Sequence, residues 1–300
     1  MDSTTVHLPG GYIDEGGTLH REVEVASLSG REEEFLAHKQ VKGAVALVTT
    51  VLSRCVRRIG AVGPVTEEMV RNLLVADRQY LLLKIRELTF GENVQANIFC
   101  PWPDCGARVD IDFSIRDIPI RESVQKGPAY RMDLSEDAAV VDGQGLKYRE
   151  VFFRLPNGAD QEAVSPLLRD NEAKALSTLL GRCILGVGPM KNPGDELVRM
   201  LSPLARMEIE KEMEAVAPAV DLVMEARCPE CGREFSIPFD LQDFFFGELK
   251  TSVDLLYREV HYLAYHYHWG EREIMEMSRE KRRRYIEVLA DEIERLNNAM

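Results

Sequence analysis

Long apolar runs are missing from this sequence. No segment reaches 18 consecutive apolar residues, so we expect no membrane-spanning helix. Residues 1–7 carry neither the basic region nor the apolar region of a signal peptide. These absences indicate a cytoplasmic protein, where thiols stay reduced and paired cysteines more often bind metal than form disulfides.

Positive charge is also scarce. The chain has 37 Lys and Arg residues against 50 Asp and Glu residues, a net charge of −13. Binding to phosphates needs local positive charge, so bulk attraction to nucleic acid or to an anionic membrane is disfavoured. At 300 residues, 45% of them hydrophobic, the chain is long enough for one large or two smaller cores.

The signatures of common enzyme classes are missing too. The sequence has no Walker phosphate-binding loop, no G-x-G-x-x-G after a strand and no G-x-S-x-G elbow. No nucleophile–base pair stands out, so we expect a protein that is not an enzyme. Gly10-Gly11 and Gly16-Gly17 fit a flexible N-terminal arm over residues 1–21.

Two cysteine pairs carry the strongest motif. Cys100 and Cys105 form the first pair, and Cys228 and Cys231 form the second. In both pairs Pro follows the first Cys and Gly follows the second, although the first spacer is longer. Such turns aim two thiolates at one ion, and Gly readily adopts the positive φ that the turn needs. The four cysteines are therefore predicted to bind one Zn²⁺ ion.

Each of these zinc knuckles precedes alternating apolar residues. This period-two pattern predicts strands after both knuckles, as in a zinc ribbon. Four cysteine ligands leave no open coordination position, so the ion is expected to be structural. The alternative is two unrelated pairs of buried or free cysteines. The alternating residues are Val109, Ile111 and Phe113, and Phe235, Ile237 and Phe239.

The knuckles belong to a wider repeat. Up to the first Cys of each knuckle, each matched residue of the first copy has its counterpart a fixed number of positions later in the second copy. Two copies of one unit are predicted, at 22–118 and 150–246, each reading strand, helices, strand, knuckle, strand. Cys55 and Cys183, at equivalent helical positions, are predicted to be small buried hydrophobes. The matches include Glu22 with Glu150, Gly30 with Gly158, Arg54 with Arg182, Gly60 with Gly188 and Cys100 with Cys228.

The predicted fold class is α+β, a duplicated mixed helix/strand unit joined by a zinc-ribbon-like four-cysteine site. Residues 119–149 are predicted to form a connecting hairpin, because two strand-like stretches flank the turn at 142–145. Residues 247–300 follow as C-terminal helices, since apolar residues there recur at steps of three and four.

The C-terminal segment also carries the candidate contact residues. Its aromatics and arginines are the residue types that anchor protein interfaces. The run at 279–284 is the only basic cluster in the sequence. The simpler interpretation is a solvated helix face, and the more specific one is a binding surface for an acidic partner protein. The candidate partner-binding residues are Tyr257, Tyr265, Trp269, Arg282 and Arg283.

Several stretches resemble proteins of contractile phage tails and of phage-tail-like contractile injection systems. They are residues 73–83 and 88–91 before the first knuckle, residues 259–269, and the arginine-rich residues 282–285. The chain is similar to T-even-type baseplate hub proteins, which are described as hub subunits or hub assembly chaperones.

This resemblance implies a structural or assembly component of a baseplate hub that acts through protein–protein contacts. The duplication adds a further hypothesis, that several copies serve each baseplate, because a chain with two copies of one unit presents two similar surfaces. The component would be cytoplasmic during assembly and then lie in the phage tail or injection particle. Its partners would be other baseplate or hub proteins. Two alternatives stay open: a transient hub assembly chaperone absent from the mature particle, and a nucleic-acid-binding zinc ribbon, which the acidic charge disfavours.

Overall fold

The computed structural model describes residues 3–38, 43–123, 127–191 and 194–298. Helices and small antiparallel sheets are mixed along the chain, which confirms the α+β class. The two largest apolar cores belong to an N-terminal unit and a following unit, and the C-terminal helices have a third. We call the segments from β1 to β5 and from β7 to β15 the first and second units.

The first unit is a three-stranded sheet with helices packed on it, followed by a two-stranded hairpin. The sheet has the order β1-β2-β3, with Ser3 opposite Ala26 and Val23 opposite Ile59. Its elements are β1 Ser3–Ile13, β2 Leu19–Ala26, α1 Gly30–His38, α2 Ala44–Cys55, β3 Val56–Ile59, α3 Glu67–Asn72, α4 Val75–Phe90, β4 Asn93–Phe99 and β5 Arg108–Ser114.

The second unit follows a short strand, β6 Ile120–Arg121, and has the order of helices and strands of the first unit with additional short strands. Its main sheet has the order β12-β11-β10-β7. Its elements are β7 Tyr130–Asp133, β8 Val140–Val141, β9 Lys147–Tyr148, β10 Glu150–Phe153, α5 Gly158–Asp170, α6 Glu172–Cys183, β11 Ile184–Val187, β12 Met190–Lys191, α7 Gly194–Met200, α8 Pro203–Val216, β13 Ala219–Val220, β14 Val223–Arg227 and β15 Glu234–Pro238.

The C-terminal segment comprises α9 Leu241–Tyr267, α10 Glu271–Met275 and α11 Arg279–Asn298. The predicted boundary at residue 247 is wrong, because α9 begins at Leu241 and Gly247 lies inside it. The first turns of α9 contribute Phe245 and Phe246 to the core of the first unit. The long helix therefore ties the C-terminal segment to the N-terminal unit.

The prediction of a flexible N-terminal arm is also wrong. Within the described part of that arm, β1 pairs with β2, and Leu8 is fully buried in the first core. The amides of Gly10 and Gly11 donate to the buried carboxylate of Asp77, at 2.7 and 3.0 Å. The glycines are needed for close approach and not for flexibility, since a Cβ atom on Gly10 would lie 2.7 Å from Leu74.

The connecting segment does contain a hairpin, but its strands belong to the second unit. β7 pairs with β10, placing Tyr130 opposite Phe153. The predicted turn at 142–145 joins a smaller hairpin, β8 with β9, inserted between those strands. The prediction missed that β7 occupies the place in its sheet that β1 occupies in the first unit.

Local contacts recur at matched positions of the two units. The amide of Gly60 donates to the carbonyl of Glu22 at 2.7 Å, and that of Gly188 donates to Glu150 at 2.9 Å. Both glycines adopt positive φ, 54° and 52°. The two units thus share this local backbone conformation at matched positions.

The units meet where α5 begins. The side chain of Asn157 accepts from the amide of Asp160, and the Asp160 carboxylate accepts from the amide of Asn157, which together form a capping box. The amide of Gly158 donates to the carbonyl of Leu73 in the first unit at 3.1 Å. The buried guanidinium of Arg78 lies directly against the Gly158 Cα.

We expect Gly158→Ala to separate the two units locally. The added methyl group would lie 2.6 Å from Arg78 Cζ, and such overpacking costs roughly 1–3 kcal/mol. Gly247→Ala is the matched control, because a Cβ atom on this helical glycine would meet no described atom at close range. The control should stabilise the protein by about 0.5–1 kcal/mol through helix propensity. Urea denaturation of both variants measures the difference, and equal stabilities would contradict the packing argument.

Candidate metal centre

The first knuckle lies at the tip of the β4–β5 hairpin. Cys100 follows β4, and its amide donates to the carbonyl of Ala107 at 2.8 Å. The chain then turns so that the amides of Cys105 and Gly106 both donate to the carbonyl of Trp102. Gly106 has φ of 59°, as predicted for a knuckle turn. The hairpin thereby directs two thiols to one side of its tip.

The second knuckle lies at the tip of the β14–β15 hairpin and has the same construction. The amide of Cys228 donates to the carbonyl of Arg233 at 3.0 Å, and Gly232 has φ of 72°. The backbone amides of Cys231 and Glu230 donate to the Cys228 sulfur and lower the pKa of its thiol to about 7. Burial raises the pKa of the Cys100 thiol to about 12. A bound metal ion would favour the thiolate form of both cysteines, because the thiolate is the form that ligates a metal.

The structure brings the four predicted ligands together. Their sulfur atoms all lie within 4.8 Å of one another. Cys100 and Cys231 are 3.8 Å apart at sulfur, and Cys105 and Cys228 are 3.7 Å apart. A tetrahedral ion bound at about 2.3 Å to four sulfurs requires sulfur separations of about 3.8 Å. The donor set therefore fits a closed, tetrahedral metal site in which every position is a protein thiolate.

A salt bridge and a stacked ring fasten the two knuckles around this site. The Arg233 guanidinium donates to both carboxylate oxygens of Asp104, at 2.8 and 2.7 Å. The same guanidinium lies over the ring of Trp102, 5.1 Å from its centroid. Both partners come from the long first spacer, so its extra residues form a cross-knuckle contact. Sequence reasoning missed this role, because the pairing joins residues 129 positions apart.

The comparison with protein families connects these features to a known group. A family model described as "T4 bacteriophage base plate protein" matches residues 17–246, most of the chain and both knuckles. The chain belongs to this base plate protein family. No curated protein and no solved structure matches it. The resemblance to phage baseplate proteins is thus confirmed at the level of the family, and a phage baseplate lies in the phage tail.

One predicted partner-binding residue of this base plate protein is internal. Arg282 is fully buried, and its guanidinium donates to Glu259 and to Glu33, each at 2.8 Å. It also donates to the carbonyl of Met277 at 2.9 Å. The prediction that Arg282 contacts a partner is wrong, because these bonds enclose its guanidinium within the chain.

The basic run at 279–284 is consequently not a continuous surface. Arg279 is buried beside Arg282 and lies 4.8 Å from the ring centroid of Phe90. Arg283 is half-exposed and lies 3.6 Å from Glu259. Arg283 and its exposed neighbours can still reach a partner, but the surface they offer is smaller than the sequence indicated.

The three aromatic candidates have different environments. Tyr265 is exposed, whereas Tyr257 is partly exposed and its hydroxyl donates to Glu34 at 2.5 Å. Trp269 stacks on Tyr267 with centroids 4.6 Å apart and meets Tyr285 edge-on at 4.8 Å. Trp269 therefore packs the C-terminal helices together, and of the three Tyr265 remains the most accessible candidate.

The two cysteines outside the knuckles lie in the cores of the two units. Cys55 and Cys183 are buried, and burial raises the pKa of each thiol to about 12, which keeps both thiols protonated at neutral pH. None of the described helices combines the length and apolar character needed to cross a bilayer.

Proposed function

We propose that this base plate protein is a structural or assembly component of the hub of a contractile tail baseplate, acting through protein–protein contacts and not as an enzyme. The family match carries the proposal, because it spans both units and both knuckles. Helix α5 of the second unit packs against α2, α3 and α4 of the first, and the two knuckles meet at the four cysteines. Two separate contacts between the units suit a rigid building block. Such a block would contact other baseplate or hub proteins, with several copies in each baseplate.

We also propose that the ion in the knuckles is Zn²⁺. Four thiolates in tetrahedral arrangement favour zinc or an iron–sulfur centre, and a single mononuclear site with knuckle turns is typical of structural zinc. The site would stabilise the contact between the units without providing chemistry, since four protein ligands leave no position for a substrate or water.

The repeat of the two units is further proposed to be an internal duplication. The shared order of elements and the paired contacts of Gly60 and Gly188 support it. Each unit then supplies half of the metal site. In a protein with one unit, two chains would have to come together to complete such a site.

A nucleic-acid-binding zinc ribbon receives less support from the knuckle surface. The basic groups there are engaged with groups of the protein itself. Arg233 pairs with Asp104, and Arg108 donates to Asn97 at 2.6 Å. Arg227 donates to the carbonyl of Gly232 at 3.0 Å. With a net charge of −13, the chain offers little positive potential for a phosphate backbone.

Quantitative mass spectrometry of purified tail particles and of assembly intermediates tests the hub proposal. A resident subunit should be present in particles at a fixed ratio to the other baseplate proteins. A transient chaperone should be present only in intermediates that contain hub proteins. Absence of the chain from both fractions would overturn the structural and assembly role, and binding to DNA that weakens steeply with salt would favour the nucleic-acid alternative.

A further inference from the structure

A helix pair of the same construction occurs three times among the described residues. The pairs are α3–α4, α7–α8 and α10–α11, and each places an arginine in the first turns of its second helix. Those arginines are Arg78, Arg206 and Arg282. Each is preceded, at the same separation along the chain, by an apolar residue of the first helix: Val70, Val198 or Ile274.

Two of these arginines have the same partners inside their own unit. Arg78 donates to the carbonyl of Val70 at 3.0 Å and to the Thr49 hydroxyl at 2.9 Å. Arg206 donates to the carbonyl of Val198 at 2.6 Å and to the Ser177 hydroxyl at 3.4 Å. Each arginine is therefore positioned by hydrogen bonds within its own unit, independently of any helix that docks against the pair.

The first pair receives the start of a neighbouring helix. Gly158, the first residue of α5, donates its amide to the carbonyl of Leu73 at 3.1 Å. The preceding residue, Asn157, forms a β-bridge with Leu74. The Arg78 guanidinium covers the glycine so closely that a Cβ atom would lie 2.6 Å from Cζ.

The third pair receives the start of α1 in the same manner. The amide of Gly30 donates to the carbonyl of Met277 at 3.2 Å, and Ser29 forms a β-bridge with Ser278. A Cβ atom on Gly30 would lie 3.1 Å from Arg282 Nη1. The same contact therefore occurs twice among the described residues. In each case a capping residue and the glycine that follows it dock against a helix pair, and the arginine of that helix pair covers the glycine.

The second pair, α7–α8, has the same face but no such neighbour among the described residues. Within that part of the chain no group donates to the carbonyl of Leu201, which corresponds to those of Leu73 and Met277. Apolar side chains are exposed around it: Leu176 by 47%, Met200 by 37% and Met207 by 56%. The counterpart of Leu176 in the first unit is Val48, and it is only 3% exposed.

We infer that the face formed by α6, α7 and α8 of the second unit binds the strand-to-helix junction of a partner protein, in which Ser, Thr, Asn or Asp is followed by a glycine that opens a helix. The glycine amide would donate to the Leu201 carbonyl and its Cα would pack against Arg206. This inference rests on the proposed function in one respect, which is that the partner is another baseplate protein.

A second copy of this chain is the less suitable occupant. Both of its own junctions of this kind, at Gly30 and Gly158, are already covered within the chain. Exposing Gly30 would require α10–α11 to detach, which would break the contacts of the fully buried Arg282 with Glu33 and Glu259. A partner that presents an uncovered junction needs no such rearrangement.

Photocrosslinking of the full-length chain during baseplate assembly tests the inference. The photoreactive residue p-benzoylphenylalanine replaces Met207, or replaces Val288 on α11 as an equally exposed control. We expect the position 207 variant to form crosslinks that map, by mass spectrometry of the joined peptides, to a capping residue and glycine at the start of a partner helix. Position 288 should not form them. Crosslinks to other segments, to a second copy of this chain, or none at all would overturn the inference.

A double variant, Leu176→Asp with Met207→Glu, provides a second measurement. Both side chains are exposed, so the variant should fold, and the new charges should lower incorporation into the baseplate about tenfold or more. Val288→Glu should incorporate like the wild type. Wild-type incorporation of the double variant overturns the docking surface while leaving the hub proposal intact, whereas a wild-type chain found in no assembly fraction removes the hub proposal itself.

Discussion

Cys228→Ser is expected to release the metal ion and unfold the two knuckles. A serine hydroxyl is a poor replacement for a thiolate in a four-sulfur site, and Cys228 is the most deeply buried ligand. Without the ion, few other interactions stabilise the fold of the knuckles, because their apolar cluster is small and each hairpin has only two strands. Structural zinc contributes on the order of 10 kcal/mol to folding, so the local loss should be severe.

Metal analysis and thermal unfolding measure this effect. Wild-type protein should carry one zinc ion per chain, and Cys228→Ser should carry little or none and melt at a lower temperature. Cys183→Ser is the matched control, because it makes the same chemical change at a buried cysteine away from the knuckles. The control should keep its zinc. Full zinc content in Cys228→Ser, or iron in the wild type, would contradict the assignment.

The two units should tolerate loss of the metal better than the knuckles do. Their cores are separate clusters, and neither includes any of the four ligands. We therefore attribute most of the expected loss to the hairpin tips and to the contact that they make between the units.

The four-cysteine cluster could be predicted because the pattern that marks each cysteine pair is local in the sequence. Each knuckle is fixed by a Cys, a short turn and a Gly, and the second pair of ligands repeats the first. The α+β class and most helices were predictable for the same reason, since apolar spacing and capping residues act over a few positions. Ser29 with Glu32, for example, marks the start of α1, and the amide of Ser29 donates to the Glu32 carboxylate.

The errors concern residues whose environment is set by distant parts of the chain. Gly10 and Gly11 suggest flexibility until Asp77 is placed beneath them. The run at 279–284 suggests a solvated face, and only the fold brings Glu33 to Arg282 from 249 positions away. The third helix pair was missed because its match to the others is confined to a few residues.

Arg282→Ala is expected to cause the second large loss. Removing one member of a buried ion network typically costs about 3–5 kcal/mol, because the remaining charges lose their partner. Here Glu33 and Glu259 would both lose their closest cation, while Arg279 and Arg283 lie farther away, at 3.7 Å from Glu33 and 3.6 Å from Glu259. The packing of the Arg282 side chain against Gly30 would be lost as well. Arg283→Ala, on the same helix but half-exposed, should change stability by no more than about 0.5 kcal/mol.

The loss in Arg282→Ala should also depend on pH. Burial already raises the pKa of Glu33 in the folded protein, and Arg282 opposes that rise. Without Arg282 the folded pKa of Glu33 rises further above the unfolded value, so the folded state holds a proton that the unfolded state releases. A carboxyl group of this kind stabilises the fold below its unfolded pKa, and that contribution is lost as the pH rises through its folded pKa. Urea denaturation should therefore show a larger deficit for Arg282→Ala at pH 8 than at pH 5. A deficit that is equal at both pH values would mean that lost packing, and not the stranded carboxylate, accounts for the effect.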